Sequence, residues 1–512
     1  MYKEIFVLKK QNQIILLIVF FTISIICRWI ITPFDIPLSL DSLQYFLVAN
    51  DISYDKKFSE FYNKPNLGWP ILLSIVFKII QVVEIIDLMN IQRVISLIFS
   101  SATVIPIYFL SKKFFNNKLS IIAATTFIFS PYIIFNSGIG SNDSIFIFFI
   151  SLFFSLFFSS RKNLILISFF ILGLTALFRY EAILLFIPAY GLLYSRLDQY
   201  SKKKAYPIAL VIGIIPIIVM MLYRFSIGIS DGFISNFVSA SSLIINEQTI
   251  QDEPLESRIY LDRGIFNFLK FSAILFLPIS FIFIPYSIVP LIKKEKKFIS
   301  LVIFAIFLSI PAIYAYSRGF MDIKYVFSLY PALMISSLFI FNKILNITFK
   351  KNIVLLIILS ATIIFSIIII DYKKMDHVYL NENTKIAEII SKLDGKINDY
   401  GKQSSLVEPL YYINKNHFDN SIWSEREFSI INVKLNSIED LNRYVVQKDL
   451  RFLVVSNENF DENEIFEKIY SNPKAYEFLK IIFDSTQDFQ KFKVKIFEID
   501  DEKLKKFMDL YD

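Results

Sequence analysis

Residues 68–87, GWPILLSIVFKIIQVVEIID, decide how this chain is threaded through a membrane. The stretch is long and apolar enough to cross a bilayer core, which takes about 20 residues. Four polar residues interrupt it at a near-helical spacing, as in an amphipathic helix that lies along the membrane surface: Lys78, Gln81, Glu84 and Asp87. Whether the segment crosses or lies flat fixes the side on which every later loop emerges.

The composition of the whole chain is that of a polytopic membrane protein. Its 512 residues are 55% hydrophobic, and apolar runs of membrane-spanning length recur along it. A single cysteine excludes an intramolecular disulfide, and two histidines argue against a histidine-built metal site. We therefore predict no metal site of that kind and no nucleic-acid partner.

The charge divides the chain at about residue 371. The residues before Tyr372 carry a net charge of +12, whereas those from Tyr372 onward carry −5. The second part also has the mixed charge and interrupted hydrophobicity of a soluble domain. We predict an all-α polytopic membrane domain over 1–371 and a soluble α/β domain over 372–512.

Loop charge decides how many of the apolar segments cross the membrane. Twelve segments are evident: 14–32, 68–87, 91–111, 119–136, 143–160, 164–178, 181–195, 206–224, 266–292, 298–316, 325–343 and 352–371. Lys and Arg in short loops mark the cytoplasmic side. With the basic N-terminus inside, twelve spans would export five strongly basic loops, whereas eleven spans keep all five inside.

We therefore predict about eleven transmembrane helices, with 68–87 as a juxtamembrane helix in a first extracytoplasmic loop over 33–90. The N-terminus is then cytoplasmic and the C-terminal domain extracytoplasmic. Segments 164–178 and 181–195 are short for spans at about 1.5 Å per residue. Arg179 and Glu181, which lie between them, are thus predicted at the tip of a helical hairpin below the outer surface.

The predicted outer side collects ionisable side chains that are unusual at membrane depth. Such groups are costly there and indicate a site that faces a cavity. Carboxylates mixed with cations suit a substrate such as a lipid phosphate sugar, since cations hold the phosphate while a carboxylate takes a hydroxyl proton. The residues are Asp41, Lys64, Asp143, Arg179, Glu181, Arg318, Asp322 and Lys324.

Structural interpretations of these residues stay open beside the functional one. Asp41 and Asp143 are favoured N-cap types before apolar helical runs. Lys64 fits an interfacial lysine whose charge reaches water.

The later charges have structural interpretations as well. Arg179 and Glu181 fit a structural ion pair, although residues i and i+2 do not face each other on a helix. Arg318 and Lys324 fit ordinary turn charges.

Five motifs in this order resemble the C-type membrane glycosyltransferases, specifically family 39, which includes protein O-mannosyltransferases and lipid A aminoarabinose transferases. They are DSLQYFLVAND (41–51), NKPNLGWPILLSI (63–75), SGIGSNDSIFIFF (137–149), LTALFRYEAILLFIPA (174–189) and RGFMDIKYVFSLYPAL (318–333). The resemblance implies a multispanning fold, a polyprenyl or dolichyl phosphate sugar as donor, and inverting transfer on the extracytoplasmic side. Protein, lipid and glycan acceptors all stay open, and membrane lipids surround the chain.

The resemblance also implies roles for individual residues. Asp41 matches the general base that deprotonates the acceptor hydroxyl, and Asp143 matches an aspartate that helps organise the catalytic site. The implied ligands of the donor phosphate are Lys64, Arg179, Arg318 and Lys324. Supporting residues are Tyr45, Glu181, Asp322 and Tyr325.

The chain departs from the family pattern at two acidic positions. Ser42 stands where many members have a second acid after the first aspartate, and Asn63 stands where an acid often precedes Lys-Pro. Because fewer carboxylates are available, we predict no metal ligands, while Asp35, Asp51 and Glu60 leave a divalent cation open.

The residues after 371 show alternating helical and strand patterns. TKIAEIISKL and SIEDLNRYVVQK have helical spacing, RFLVVS is typical of a buried strand, and KFKVKIFEI alternates strictly. This order resembles the soluble tail of many such transferases, which covers the active site. Recognition of the acceptor and a purely structural cap are alternative roles.

A transporter or flippase of a lipid-linked sugar is the main alternative function. It predicts charges near the midplane and inverted repeats. The sequence has no evident repeat, and its charges gather at one end of the spans, so the glycosyltransferase is favoured. A non-catalytic membrane assembly factor leaves the one-sided set of charges unexplained.

Overall fold

The computed structural model describes most of the chain and divides it into two compact units. The described residues are 10–53, 66–80, 85–196, 199–226, 260–276, 296–347, 351–393, 395–398, 428–429, 435–457, 460, 463–486, 489 and 493–509. The first unit comprises Met1–Pro33, Gln44–Val83 and Asp87–Ile370, and the second comprises Phe34–Leu43, Glu84–Ile86 and Asp371–Asp512.

Helices dominate the described part of the first 391 residues. They are α1 Lys10–Ile31, α2 Leu40–Ser53, α3 Gly68–Ile80, α4 Ile85–Ala102, α5 Val104–Phe114, α6 Asn117–Ile128, α7 Pro131–Ile139, α8 Asp143–Phe157, α9 Lys162–Phe178, α10 Phe186–Arg196, α11 Gln199–Ser226, α12 Leu261–Phe276, α13 Lys296–Ser317, α14 Tyr330–Ile347 and α15 Lys351–Ser391. Two 3₁₀ helices, Tyr180–Leu185 and Ile323–Leu329, precede α10 and α14. This helical content confirms the predicted fold class.

Several of these helices have the length and hydropathy of membrane spans. In the described residues five pass, or six if the bent pair α6 and α7 is one span. Four shorter apolar helices, namely α8, α9, Tyr180–Tyr194 and Ile323–Phe339, fall on further predicted spans. The chain is thus a multi-pass membrane protein, while the number eleven stays a prediction.

The structure describes the segment 68–87 only in part, because 81–84, and with them Gln81 and Glu84, fall outside the described residues. α3 ends at Ile80, and α4 begins at Ile85 and continues through α5 as one long apolar helix. The 13 residues of α3 reach about 20 Å, which is too short for a hydrocarbon core of about 30 Å. Leu73 and Phe77 are buried on one side of α3, and Lys78 is exposed on the other. The described part of the predicted juxtamembrane helix is thus α3 together with the first residues of α4.

The predicted span 119–136 is divided between two helices. α6 and α7 meet at an angle of 49°. Pro131 is the first residue of α7, where its missing N–H is tolerated, but it cannot continue α6 because it cannot donate to a carbonyl in the preceding turn. The predicted single helix is wrong at this point.

Aromatic packing fills the core of the first unit. The ring of Phe304 on α13 lies 5.2–5.5 Å from those of Phe153, Phe154 and Phe157 on α8, in edge-to-face geometry. Such pairs contribute about 0.5–1.5 kcal/mol beyond their burial. The core therefore joins α8 to α13.

The second unit contains a five-stranded sheet in its described residues. Its strands are β1 Ile397–Asn398, β2 Phe428–Ser429, β3 Phe452–Ser456, β4 Leu479–Asp484 and β5 Val494–Ile499, in the order β2-β1-β3-β5-β4. β1 pairs in parallel with β2 and β3, and β5 pairs antiparallel with β3 and β4. Three helices accompany the sheet: α16 Ile438–Lys448, α17 Glu464–Ser471 and α18 Asp501–Asp509.

Local sequence signals explain the elements of this unit. Ser437 and Asp440 form a reciprocal capping box at the start of α16. All five residues of β3 are buried, as its apolar run predicts. Ile36 packs with Ile386 and Val454 in one of the cores of this unit. The predicted α/β character of the C-terminal part is thus confirmed.

Candidate active site

Arg179 is the centre of a buried ionic cluster in the first unit. Its Nη1 donates to Asp143 Oδ1, and its Nη2 donates to Glu181 Oε1 at 2.7 Å. Its Nε also lies 3.3 Å from Glu181 Oε1. The side chains of Asp143, Arg179 and Glu181 are only 4%, 11% and 16% exposed. One guanidinium therefore bridges two carboxylates away from water.

The local backbone allows Arg179 and Glu181 to pair although they are only two residues apart. Arg179 follows α9 in an extended conformation, with φ −147° and ψ 121°, and Glu181 lies in the first turn of the next 3₁₀ helix. The objection that residues i and i+2 do not face each other applies within a helix. Here the extended residue turns the two side chains together, so the ion pair forms.

Aromatic rings cover the faces of this guanidinium. The Arg179 Cζ lies 5.3 Å from the ring centroid of Phe146 and 5.8 Å from that of Tyr325. Phe146 follows Asp143 by three residues on α8, so both share one helix face. Tyr45, buried on α2, also interacts electrostatically with Arg179. Aromatic side chains from two helices and a 3₁₀ helix therefore surround Arg179.

Lys324 adds a second cation beside the cluster. Its Nζ lies 3.3 Å from Asp322 Oδ2 and 5.9 Å from the ring centroid of Tyr325, and its charge interacts with that of Glu181. Asp322 caps the 3₁₀ helix by accepting a hydrogen bond from the Lys324 backbone N–H at 2.9 Å. Through Tyr325 and Lys324, the motif 318–333 thus interacts with Arg179 and Glu181.

The remaining predicted residues are placed individually. Asp41 lies half-buried in the first turn of α2, which begins one residue before it, and Arg318 lies half-buried in the turn after α13. Asp143 is the first residue of α8, and its Oδ2 accepts a hydrogen bond from Ser141 at 2.9 Å. Lys64 falls outside the described residues.

The sequence prediction omitted several residues that hold the cluster. Phe146 covers Arg179, and the Asn142 side chain donates to the carbonyl of Phe178 at 2.7 Å. Gln92 and Arg93 on α4 donate to the carbonyls of Gly140 and Gly138. A polar pair inside the apolar run 91–111 was the signal for the last two, since such residues mark contacts within a bundle.

No metal cluster is evident at these positions. Among the described residues, no group of three or more His, Cys, Asp or Glu side chains could hold an ion. In the cluster itself, the carboxylates of Asp143 and Glu181 contact a guanidinium.

Comparison with known proteins supports the resemblance drawn from the motifs. Residues 63–223 match the family model described as dolichyl-phosphate-mannose-protein mannosyltransferase. This range contains the whole of the second, third and fourth motifs, and with them Asp143, Arg179 and Glu181. No curated protein matches the sequence.

Solved structures share the fold across nearly the whole chain. ArnT from Cupriavidus metallidurans in the apo state has a TM-score of 0.55 at 10% identity, covering 94% of this chain and 97% of ArnT. ArnT bound to undecaprenyl phosphate has a TM-score of 0.51 at 10% identity, covering 95% and 98%. The Archaeoglobus fulgidus oligosaccharyltransferase tethered with an acceptor peptide has a TM-score of 0.54 at 12% identity, covering 95% and 74%.

These findings confirm the predicted fold and the family resemblance. The chain shares the fold of ArnT and of the oligosaccharyltransferase over most of its length. The family model itself is matched by the part that carries the ionic cluster.

Proposed function

We propose that this protein is an integral membrane glycosyltransferase that uses a sugar linked to polyprenyl or dolichyl phosphate. The acceptor bears a hydroxyl, and transfer occurs on the extracytoplasmic face with inversion at the anomeric carbon. One observation carries the proposal: the buried cluster of Asp143, Arg179 and Glu181 lies within the range that matches the mannosyltransferase family model. ArnT with bound undecaprenyl phosphate, which shares the fold, supports the class of donor.

Asp41 is the general base in this proposal. Its carboxylate takes the proton of the acceptor hydroxyl as that oxygen bonds to the anomeric carbon from the side opposite the phosphate. The bond between the anomeric carbon and the phosphate oxygen breaks, and the phosphate leaves with the electron pair. General-base catalysis of this kind contributes about 10²–10⁴-fold to a rate.

The donor phosphate is assigned to three cations of the predicted outer side. Lys64, Arg318 and Lys324 are the proposed ligands, and Lys324 is tied to the cluster through Tyr325. Arg179 was predicted in the same role, but its guanidinium already contacts Asp143 and Glu181. We assign Arg179 instead to holding these carboxylates in place.

The proposed orientation follows loop charge. The N-terminus is cytoplasmic, the membrane domain covers 1–371, and the domain over 372–512 is extracytoplasmic. In this arrangement the C-terminal domain meets the acceptor. Full transfer to the natural acceptor after deletion of 376–512 would remove that role from the proposal.

Transfer by the purified protein tests the proposal. The protein in vesicles is supplied with polyprenyl phosphate hexoses or pentoses and hydroxyl acceptors, and wild type is compared with Asp41→Asn. We expect transfer by wild type and a loss of at least about a hundredfold in the variant. Asp262→Asn is the matched control, because Asp262 is an exposed acid in the first turn of α12.

The outcomes separate the proposal from its alternative. Full activity of Asp41→Asn would remove Asp41 from the chemistry while leaving the transferase. Movement of the lipid-linked sugar across the vesicle, with no consumption of it, would show a flippase instead.

A further inference from the structure

The turn that carries Asp143 is held by hydrogen bonds from two other helices. Trp69 Nε1 on α3 donates to the carbonyl of Gly140 at 3.3 Å, and Gln92 Nε2 on α4 donates to the same carbonyl at 2.8 Å. The side chains of Trp69 and Gln92 are fully buried. One carbonyl, three residues before Asp143, thus accepts from two helices at once.

This carbonyl belongs to the left-handed turn that follows α7. Gly140 ends α7 with φ 81°, in the left-handed region that favours glycine. Arg93 Nε donates to the Gly138 carbonyl at 3.2 Å, two residues earlier. The carbonyls at the end of α7 lack intrahelical partners, so these donors satisfy groups that would otherwise be buried unpaired.

The start of α3 also touches the segment that leads to Arg179. A Cβ built on Gly68 would lie only 2.7 Å from the backbone oxygen of Leu177, two residues before Arg179. Asn142 donates to the carbonyl of Phe178 at 2.7 Å and so joins the Asp143 turn to the same segment. Gly68 and Trp69 therefore contact both chain segments that form the ion pair.

We propose that Trp69 and Gln92 are positioning residues that lock the Gly140 carbonyl and thereby hold Asp143 against Arg179, so that the short helix α3 is coupled to the chemistry. This inference rests on the proposed function for its kinetic consequence. Its structural part, the lock on the turn, stands on the contacts alone. Neither residue touches the reacting atoms.

Amide exchange tests the lock without any substrate. Peptides that cover residues 138–143 are compared in wild type, Trp69→Phe, Gln92→Leu and the double variant, all as full-length protein. Each single variant removes one hydrogen-bond donor and places an apolar side chain there. We therefore expect amide exchange to be about tenfold faster in each single variant and about a hundredfold faster in the double variant. Unchanged exchange in the double variant would overturn the lock.

Two substitutions serve as matched controls for the exchange measurement. Trp29→Phe changes a half-exposed tryptophan on α1, and Gln13→Leu changes a glutamine that accepts from Lys112 on α5. Neither side chain contacts the turn at Gly140 through the hydrogen bonds described above. Both should leave its exchange at the wild-type rate.

Kinetics test whether the lock acts through Asp143. For Gln92→Leu we expect kcat to fall about tenfold while KM for the lipid donor changes less than about twofold, because the proposed phosphate ligands lie elsewhere. In an Asp143→Asn background the same substitution should cause no further loss of kcat. Equal losses in both backgrounds would show a general structural effect and overturn the positioning role.

The two arms also separate failure of the lock from failure of the proposed function. Faster exchange in a protein that transfers no sugar leaves the lock standing and removes the transferase. If the wild type transfers sugar, and a variant with faster exchange keeps the wild-type kcat, only the positioning role is removed.

Discussion

Arg28 and Arg179 of the first unit both lie among helices, and their surroundings differ in charge. Arg28 on α1 is fully buried, and its Nε donates to Ser100 Oγ at 2.8 Å. Its Nη1 donates to Ser24, and Phe127 lies beneath its Cζ at 5.5 Å. In the described part of the chain no carboxylate pairs with Arg28, whereas Arg179 pairs with two.

The partners of Arg28 indicate a structural task. Its Nη1 also lies 3.4 Å from the carbonyl of Ile128, the last residue of α6. Because α6 ends at Ile128, its last carbonyls lack donors within the helix, and a cation is favourable at a helix C-terminus. Arg28 therefore compensates a helix break, while Arg179 compensates two acids. Burial of an arginine alone does not identify a reactive site.

Removing Arg179 should have the largest effect on stability and sugar transfer. Arg179→Met leaves Asp143 and Glu181 buried without their cation, which costs about 3–5 kcal/mol when one member of a buried pair is lost. We expect a fall in thermal stability and a loss of sugar transfer of at least about a hundredfold. Unfolding of the purified protein by heat and transfer per folded molecule measure the two effects.

A triple variant separates the two consequences of losing Arg179. Arg179→Met combined with Asp143→Asn and Glu181→Gln contains no uncompensated charge at this point. We expect stability to return toward wild type while transfer stays lost. Recovery of transfer would show that the cluster serves folding only, which is the role assigned to Arg28.

Removing Arg28 should have a smaller and different effect. Arg28→Met leaves the Ile128 carbonyl and the Ser100 hydroxyl without this donor, at a cost of about 1–3 kcal/mol. Because no acid is left unpaired, we expect lower thermal stability but transfer per folded molecule within about twofold of wild type. A loss of transfer as large as that of Arg179→Met would erase the distinction between the two sites.

The difference between the two arginines also marks what the sequence predicts well. Asp143, Arg179, Glu181, Lys324 and Tyr325 were all predicted site residues, and the structure brings them together. Their signal is local, because a charge within an apolar pattern is visible in the sequence alone. The apolar run of RFLVVS and the alternation of KFKVKIFEI likewise predicted the strands β3 and β5.

The features that the sequence reasoning missed depend on long-range contacts or backbone detail. The pairing of Arg179 with Glu181 required an extended residue after α9, which periodicity does not reveal. The break between α6 and α7 is signalled by Pro131 but was passed over, since an apolar run dominates the pattern. The lock of Gln92 onto Gly140 joins residues 48 apart in the chain.

The loss of an ion pair between two strands should have the smallest effect on stability, and it sets a scale for the effects at Arg179 and Arg28. Asp484 at the end of β4 lies 3.6 Å from Lys495 Nζ on β5, and its side chain is 34% exposed. Burial alone would raise the pKa of Asp484, but hydrogen bonds from Thr486 and the charge of Lys495 bring this pKa below its ordinary value. Pairs that are partly open to solvent, as at Asp484, contribute little.

A lowered pKa fixes the direction of the pH dependence. The stabilisation is complete above the ordinary carboxyl pKa and is lost as pH falls through the lower folded-state pKa, below about pH 4. We expect amide exchange of β4 and β5, corrected for intrinsic rates, to accelerate by at most about fivefold on acidification. Asp484→Asn should remove that part of the pH dependence, and the exposed control Glu477→Gln should keep it. Identical acid responses of wild type and Asp484→Asn would show that this pair carries no stability, unlike the buried pairs of Arg179.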